Sequence, residues 1–156
     1  METIDEGKKF LRRNFDKRKP VSCPCCGQVV AKSRRTIYGS MAKWLIELVL
    51  KSVEARNGYV EVRNLRSKGG DYAKLRFWGL VEQKPNRDPK KKESGIWRPT
   101  EEGRKFAFRT LKVPRAVFIF NNTFQGYEDP KDLVDIAECL GEQFDYSQLM
   151  QSSYWE

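Results

Sequence analysis

The sequence predicts an α+β fold. Its core reads helix, short strand, helix, β-hairpin, helix; a basic arm with a cysteine-rich turn precedes it, and an acidic β-hairpin and helix follow. Three observations predict this. Apolar residues recur at helical spacing from residue 40 onward, and two short β-like runs flank a long polar loop at 85–94. Charge then divides the chain: residues 1–126 hold 29 of the 30 basic and 13 of the 21 acidic residues, a net +16, whereas residues 127–156 hold one basic and eight acidic, a net −7. The expected organisation is a basic arm with a cysteine knuckle at 1–37, a core domain at 38–112, and an acidic hairpin-and-helix appendage at 113–156.

The elements follow in order. Residues 1–20 carry Phe10, Leu11 and Phe15 among many Lys and Arg and end at Pro20, which suits a basic arm or short helix. Residues 21–30 read as a knuckle-like turn followed by a strand. Ser40 is placed to cap a helix running to about Arg56, with Met41, Trp44, Leu45, Leu48 and Val49 at i, i+3, i+4, i+7 and i+8. Ile46, Leu50 and Val53 widen that face, as befits a central helix, and Lys43, Glu47 and Lys51 fall four apart in a stripe able to pair along the surface. Asn57-Gly58 ends the helix. Tyr59 to Arg63 is β-like, and Ser67-Lys68-Gly69-Gly70 is a turn. Asp71 or Ser67 then caps a second helix through Trp78, with Leu75 and Trp78 on one face and Gly79 closing it.

Residues 80–84 and 95–99 read as the two strands of a hairpin, joined by a loop holding Arg87, Lys90, Lys91 and Lys92. Thr100 caps the next helix, with Glu101 and Glu102 in the first turn, where the helix dipole favours negative charge. In the appendage, Ala116 to Phe120 and Thr123 to Tyr127 are strands about a tight Asn121-Asn122 turn. Asp129 is the expected N-cap of a helix with Pro130 at its first position, Leu133, Ile136, Ala137 and Leu140 as its apolar stripe and Gly141 as its stop. Residues 144–150 supply a further turn or two.

Composition narrows the function. At 156 residues, with 39% hydrophobic and 12% aromatic residues, the chain has the material for a folded core, while 33% charged residues give it a strongly polar surface. The longest apolar run, Trp44 to Leu50, contains Glu47 and is far short of the ~20 residues a bilayer crossing needs. The first six residues are acidic where a secretory signal is basic, so the expected compartment is the cytoplasm and no membrane partner is expected. There is no histidine, no phosphate-binding loop, no dinucleotide fingerprint and no nucleophile motif. A non-enzymatic role is the expectation. So basic a body attracts polyanions, nucleic acid first among them.

The order of elements over residues 40–108 resembles the winged helix-turn-helix of MarR-, PadR- and ArsR-type regulators. The resemblance is carried by Tyr72-Ala73-Lys74-Leu75-Arg76-Phe77-Trp78-Gly79-Leu80-Val81-Glu82 and by Gly95-Ile96-Trp97-Arg98-Pro99-Thr100-Glu101-Glu102-Gly103-Arg104-Lys105-Phe106. In that family a recognition helix runs into a Gly-Leu-Val-Glu turn, and the return strand of the wing enters Thr-x-x-Gly-Arg/Lys. The resemblance implies double-stranded DNA as partner and regulation of transcription or of another DNA process. It places Lys68, Tyr72, Lys74 and Arg76 on or just before the helix that enters a major groove, and Arg87, Lys90, Lys91 and Lys92 at the wing tip, against phosphates or the minor groove. Tyr72 as a core residue, and the wing lysines as a solvated loop, are the blander alternatives. The competing function is a protein-interaction module that binds and inhibits a host enzyme or nucleoprotein complex. The absence of a sustained heptad at either end leaves both a monomer and a dimer through the appendage open.

Cys23-Pro24-Cys25-Cys26-Gly27 contains Cys-x-x-Cys followed by Gly and looks like one knuckle of a zinc ribbon, with Cys23 and Cys26 as the metal ligands. Zinc is the cofactor this spacing points to. Four ligands are needed, so Cys25, Cys139, a carboxylate or a second copy of the chain must complete the set; the alternative is a relic knuckle that survives only as a hairpin turn. A thioredoxin-like redox role lacks its βαβ setting. Cys139 is expected to be packing. The pairing of this knuckle with Gly-Asp-Tyr-Ala-Lys-Leu-Arg also resembles small bacteriophage proteins, a likeness that carries no activity with it.

Overall fold

The computed structural model describes residues 3–14, 21–68, 71–85 and 94–156. The protein is mixed α and β, in keeping with the expected class. In chain order its elements are α1 (Ile4–Asn14), β1 (Val21–Ser22), β2 (Val29–Val30), β3 (Ser33–Thr36), α2 (Gly39–Ser52), β4 (Val60–Glu61), β5 (Val81–Gln83), β6 (Ile96–Pro99), α3 (Glu101–Ala107), β7 (Val113–Pro114), β8 (Ala116–Phe120), β9 (Thr123–Tyr127), β10 (Leu133–Val134), α4 (Ile136–Leu140) and α5 (Tyr146–Leu149). Short 3₁₀ helices occupy Arg56–Gly58, Val62–Asn64, Asp71–Trp78 and Ser152–Trp155.

These elements pack into two units that interleave along the chain: Met1–Arg35 with Ala116–Glu128, and Thr36–Arg115 with Asp129–Glu156. The expected appendage at 113–156 is therefore divided. Its hairpin belongs to the first unit and its helices to the second.

In the first unit, β1 and β2 form an antiparallel pair, with Val21 opposite Val30 and Ser22 opposite Val29. A separate three-stranded sheet has the order β3-β8-β9. The β8–β9 hairpin turns at Asn121 and Asn122, whose φ angles of 50° and 59° are those of a type I′ turn, as the Asn-Asn pair predicts.

The second unit is built around α2. Met41, Ala42, Trp44, Leu45, Ile46, Leu48 and Val49 are all buried, so the helix is central, as its broad apolar face predicts. Both ends differ from expectation. Ser40 is not the cap: the chain enters from extended Tyr38, which makes no side-chain capping bond, and Gly39 takes the first turn close against Phe144. The helix stops at Ser52, whose hydroxyl donates to the Val49 carbonyl, and Asn57 at φ 60° turns the chain onward. The Lys43–Glu47–Lys51 stripe is not a surface one either, because Glu47 is wholly buried.

Strands β4, β6 and β5 form an antiparallel sheet in that order, with Val60 opposite Trp97, and Glu82 opposite Arg98. The β5–β6 hairpin thus stands where the sequence places it. Thr100 caps α3 as expected, its Oγ1 accepting from the Gly103 N–H at 3.0 Å and donating to the Gly79 carbonyl at 2.5 Å. Gly103 passes directly over the Leu80 carbonyl, where no Cβ fits.

The expected helix at Asp129 is a correction. Asp129 accepts from the Lys131 N–H at 2.9 Å and closes a turn, and Leu133–Val134 form β10, antiparallel to β7. The helix begins after Asp135, which accepts from the Glu138 N–H at 2.9 Å. An Asp with Pro behind it caps a turn by the same hydrogen bond that caps a helix, and here Arg115 draws Asp132 into strand pairing instead, with its own N–H to the Asp132 carbonyl at 2.8 Å. Leu133 is consequently exposed, not part of an apolar stripe.

Candidate nucleic-acid interface

The segment expected to enter a groove, Asp71–Trp78, is a 3₁₀ helix of eight residues. Flanked by Gly69-Gly70 and Gly79, it is too short for its sequence to impose the 3.6-residue period, and side chains three apart eclipse. Leu75 and Trp78 are buried as predicted, and the Trp78 indole N–H donates to the Pro114 carbonyl at 2.8 Å.

The four candidate residues here are in different situations. The Tyr72 ring stacks on Trp44, with centroids 4.4 Å apart and planes at 12°, and meets Trp97 edge-on at 5.9 Å. Its ring is thus packed between α2 and the sheet, the core role open to it from sequence. Lys74 lies 3.7 Å from Asp71, which also binds the Tyr38 hydroxyl. The Arg76 guanidinium sits over the Phe77 ring at 4.7 Å. Lys68 is exposed and borders a small cleft with Tyr38, Asp71 and Tyr72. The wing-tip candidates Arg87, Lys90, Lys91 and Lys92 lie outside the described residues.

Glu47 fixes the approach to this 3₁₀ segment. Its carboxylate accepts from the N–H groups of Arg66 at 2.7 Å and Ser67 at 2.8 Å, and from the Lys51 ammonium at 2.6 Å. Burial alone would push its carboxyl up; the Lys51 ammonium and the two N–H groups outweigh burial and hold it below the ordinary range. The turn at 66–67 is thereby tied to the central helix.

Beside the β5–β6 hairpin is a cluster that sequence reasoning did not assemble. The Arg98 guanidinium lies 4.4 Å from the centre of the Tyr59 ring, with the Lys84 ammonium 5.8 Å from the same ring. Arg98 also pairs with Glu82 across the hairpin and donates to the Asn57 carbonyl at 3.2 Å. Gly58 is held close to both Arg98 and Arg104. Arg98 was within reach from sequence, since it alternates with buried Trp97 and Pro99, and Lys84 directly follows β5. Tyr59 was not, because its neighbours come from the hairpin, far along the chain.

In the first unit, the Cys23 N–H donates to the Gln28 carbonyl at 2.7 Å and the Gly27 N–H to the Cys23 carbonyl at 2.8 Å. Gly27, at φ 76°, reverses the chain. The N–H groups of Cys25 and Cys26 donate toward the Cys23 sulfur and hold its thiol below the ordinary value. The Cys25 thiol donates to the Thr3 carbonyl at 3.4 Å. All four cysteines are free, and among the described residues no group of three or more Cys, Asp or Glu is arranged to hold a metal. Cys139 lies in the second unit, where burial, with Glu138 and Asp135 nearby, pushes its thiol up to about 12. That is an inert, packed cysteine.

Compared with protein-family models, with curated proteins and with solved structures, the chain matches none. Among the described residues no helix is long and apolar enough to cross a membrane.

Proposed function

We propose that the second unit is a winged-helix module that binds double-stranded DNA without catalysis, gripping phosphates more than reading bases, in a regulatory role in the cytoplasm. The observation that carries the reading is the β5–β6 hairpin. It is fixed to a third strand in the order β4-β6-β5, the sequence between its two strands contains Arg87, Lys90, Lys91 and Lys92, and Lys84, Arg98 and Tyr59 cluster beside it. A sheet of this order beside a helical segment that packs on α2 is what a wing and its neighbouring helix require. The preference for phosphates over base edges follows from the 3₁₀ segment, where the Tyr72 ring is packed against Trp44 and Lys74 is paired with Asp71.

A salt titration of binding to random-sequence duplex DNA tests this. The logarithm of the binding constant should fall linearly with the logarithm of salt concentration. Replacing Lys90, Lys91 and Lys92 by Ala should make that slope shallower by about 2.7, or about 0.9 for each phosphate no longer neutralised. Binding that ignores salt, or a slope unchanged in the triple variant, would overturn the reading. Use of this unit as a protein-docking module is the alternative. It is favoured by the exposed Val53 and Phe108 at the ends of α2 and α3, and it predicts stoichiometric retention of a bacterial protein after nuclease treatment.

A further inference from the structure

We propose that Cys23 and Cys26 form half of a tetrahedral thiolate site for Zn²⁺, completed by the same two cysteines of a second copy of the chain. The turn is built as a chelating one. Two backbone hydrogen bonds close it, Cys23 to Gln28 and Gly27 to Cys23, and the antiparallel β1–β2 pair holds its ends together. The intervening Cys25 donates its thiol to the Thr3 carbonyl at 3.4 Å, and Cys23 and Cys26 are the pair at the spacing that chelates one ion.

A second copy is required by the donor count. A structural zinc site takes four ligands. The chain has no histidine, and among the described residues no group of three or more Cys, Asp or Glu is arranged to hold a metal. Cys139 is half-buried in the other unit, beside Glu138 and Asp135. The turn itself is open to a partner, since Cys26, Gly27 and Gln28 are exposed and Cys23 is only half-buried. Two such turns bring four sulfurs, and thiolate ligands of this softness select zinc over magnesium or calcium. The site is independent of the DNA reading, because it lies in the first unit and the proposed wing in the second.

The test is the full chain, purified with a phosphine reductant so that no disulfide forms, with Zn²⁺ titrated in and mass measured by light scattering alongside elemental analysis. The expected result is one zinc per two chains, a doubled mass, and return to a single chain on adding a chelator. Cys23→Ser and Cys26→Ser should each abolish both effects, whereas Cys25→Ser and Cys139→Ser should keep them. Cobalt bound to the unaltered chain gives a measure free of any folding defect in a variant: a tetrahedral all-thiolate spectrum is expected at one cobalt per two chains. No metal retained, one metal held by a single chain, or a cobalt spectrum with oxygen ligands would each overturn the proposal.

Discussion

Glu47 shows how much one side chain can organise. Wholly buried, it gathers the ammonium of Lys51 and two backbone N–H groups, so that removing it leaves the two N–H groups without their acceptor and Lys51 with the Asn64 carbonyl but no counter-charge. Glu47→Ala should cost about 3 kcal/mol of folding stability in urea denaturation. Glu47→Gln, which keeps the volume and one acceptor oxygen, should cost roughly half of that. The charge also has a pH signature. Because the folded carboxyl titrates below its ordinary value of 4.5, its contribution is whole above that pH and is lost as pH falls through the lower folded value. Asp135, whose burial is outweighed by the Glu138 N–H and by Arg109, adds in the same direction. Stability measured from pH 6 to about pH 3 should therefore drop less steeply in Glu47→Gln than in the unaltered chain; parallel curves would mean that the carboxylate is not the group titrating. None of this was legible in sequence. Charges four apart on a helix read as a surface stripe, and the spacing carries no sign that residues 66 and 67 return to cover one of them.

At the scale of elements, the segment from Gly79 to Phe106 was the most legible, because each of its signals has a local cause. Thr100 both caps α3 and holds the Gly79 carbonyl, joining the helix to the turn before β5. Thr100→Ala should lose about 1–2 kcal/mol, seen as a lower midpoint in thermal unfolding. Gly103 is a stricter requirement, since a Cβ there overlaps the Leu80 carbonyl oxygen, a backbone atom that cannot rotate aside. Gly103→Ala should destabilise by about 3 kcal/mol, more than the loss of the cap. If the two substitutions prove equally mild, α3 does not sit closely against Leu80. The elements that sequence missed had ambiguous signals. Asp129-Pro130 suits a turn as well as a helix start, and the choice was made by strand pairing between β7 and β10. The segment at 71–78 had the right length and anchors for a helix, but eight residues could not decide between α and 3₁₀ geometry.

For the whole molecule, charge and hydropathy along the chain suggested that the acidic end is an appendage, yet from Asp129 onward it belongs to the unit built on α2. Linear order cannot reveal this, because which helix covers α2 is settled by packing and not by any local pattern. Helices α4 and α5 lie on α2, and Ile136, Leu140, Leu149 and Trp155 are buried. The Lys43 ammonium faces the rings of Phe144, Tyr154 and Trp155 at 5.0–5.8 Å. The Tyr146 hydroxyl donates to the Ala107 carbonyl at 2.5 Å, and Arg109 and Arg115 pair with Asp135 and Asp132. The Arg115–Asp132 pair is exposed enough to contribute little. The four buried side chains are another matter: at roughly 1.5–3 kcal/mol each they amount to about 6–12 kcal/mol, comparable to the entire stability of an ordinary domain. Ending the chain after Glu128 should therefore abolish cooperative thermal unfolding and collapse the dispersion of amide resonances. A detachable acidic tail would leave both intact and would strengthen DNA binding by removing its negative charge. That outcome would show that residues 129–156 are no part of the core around α2.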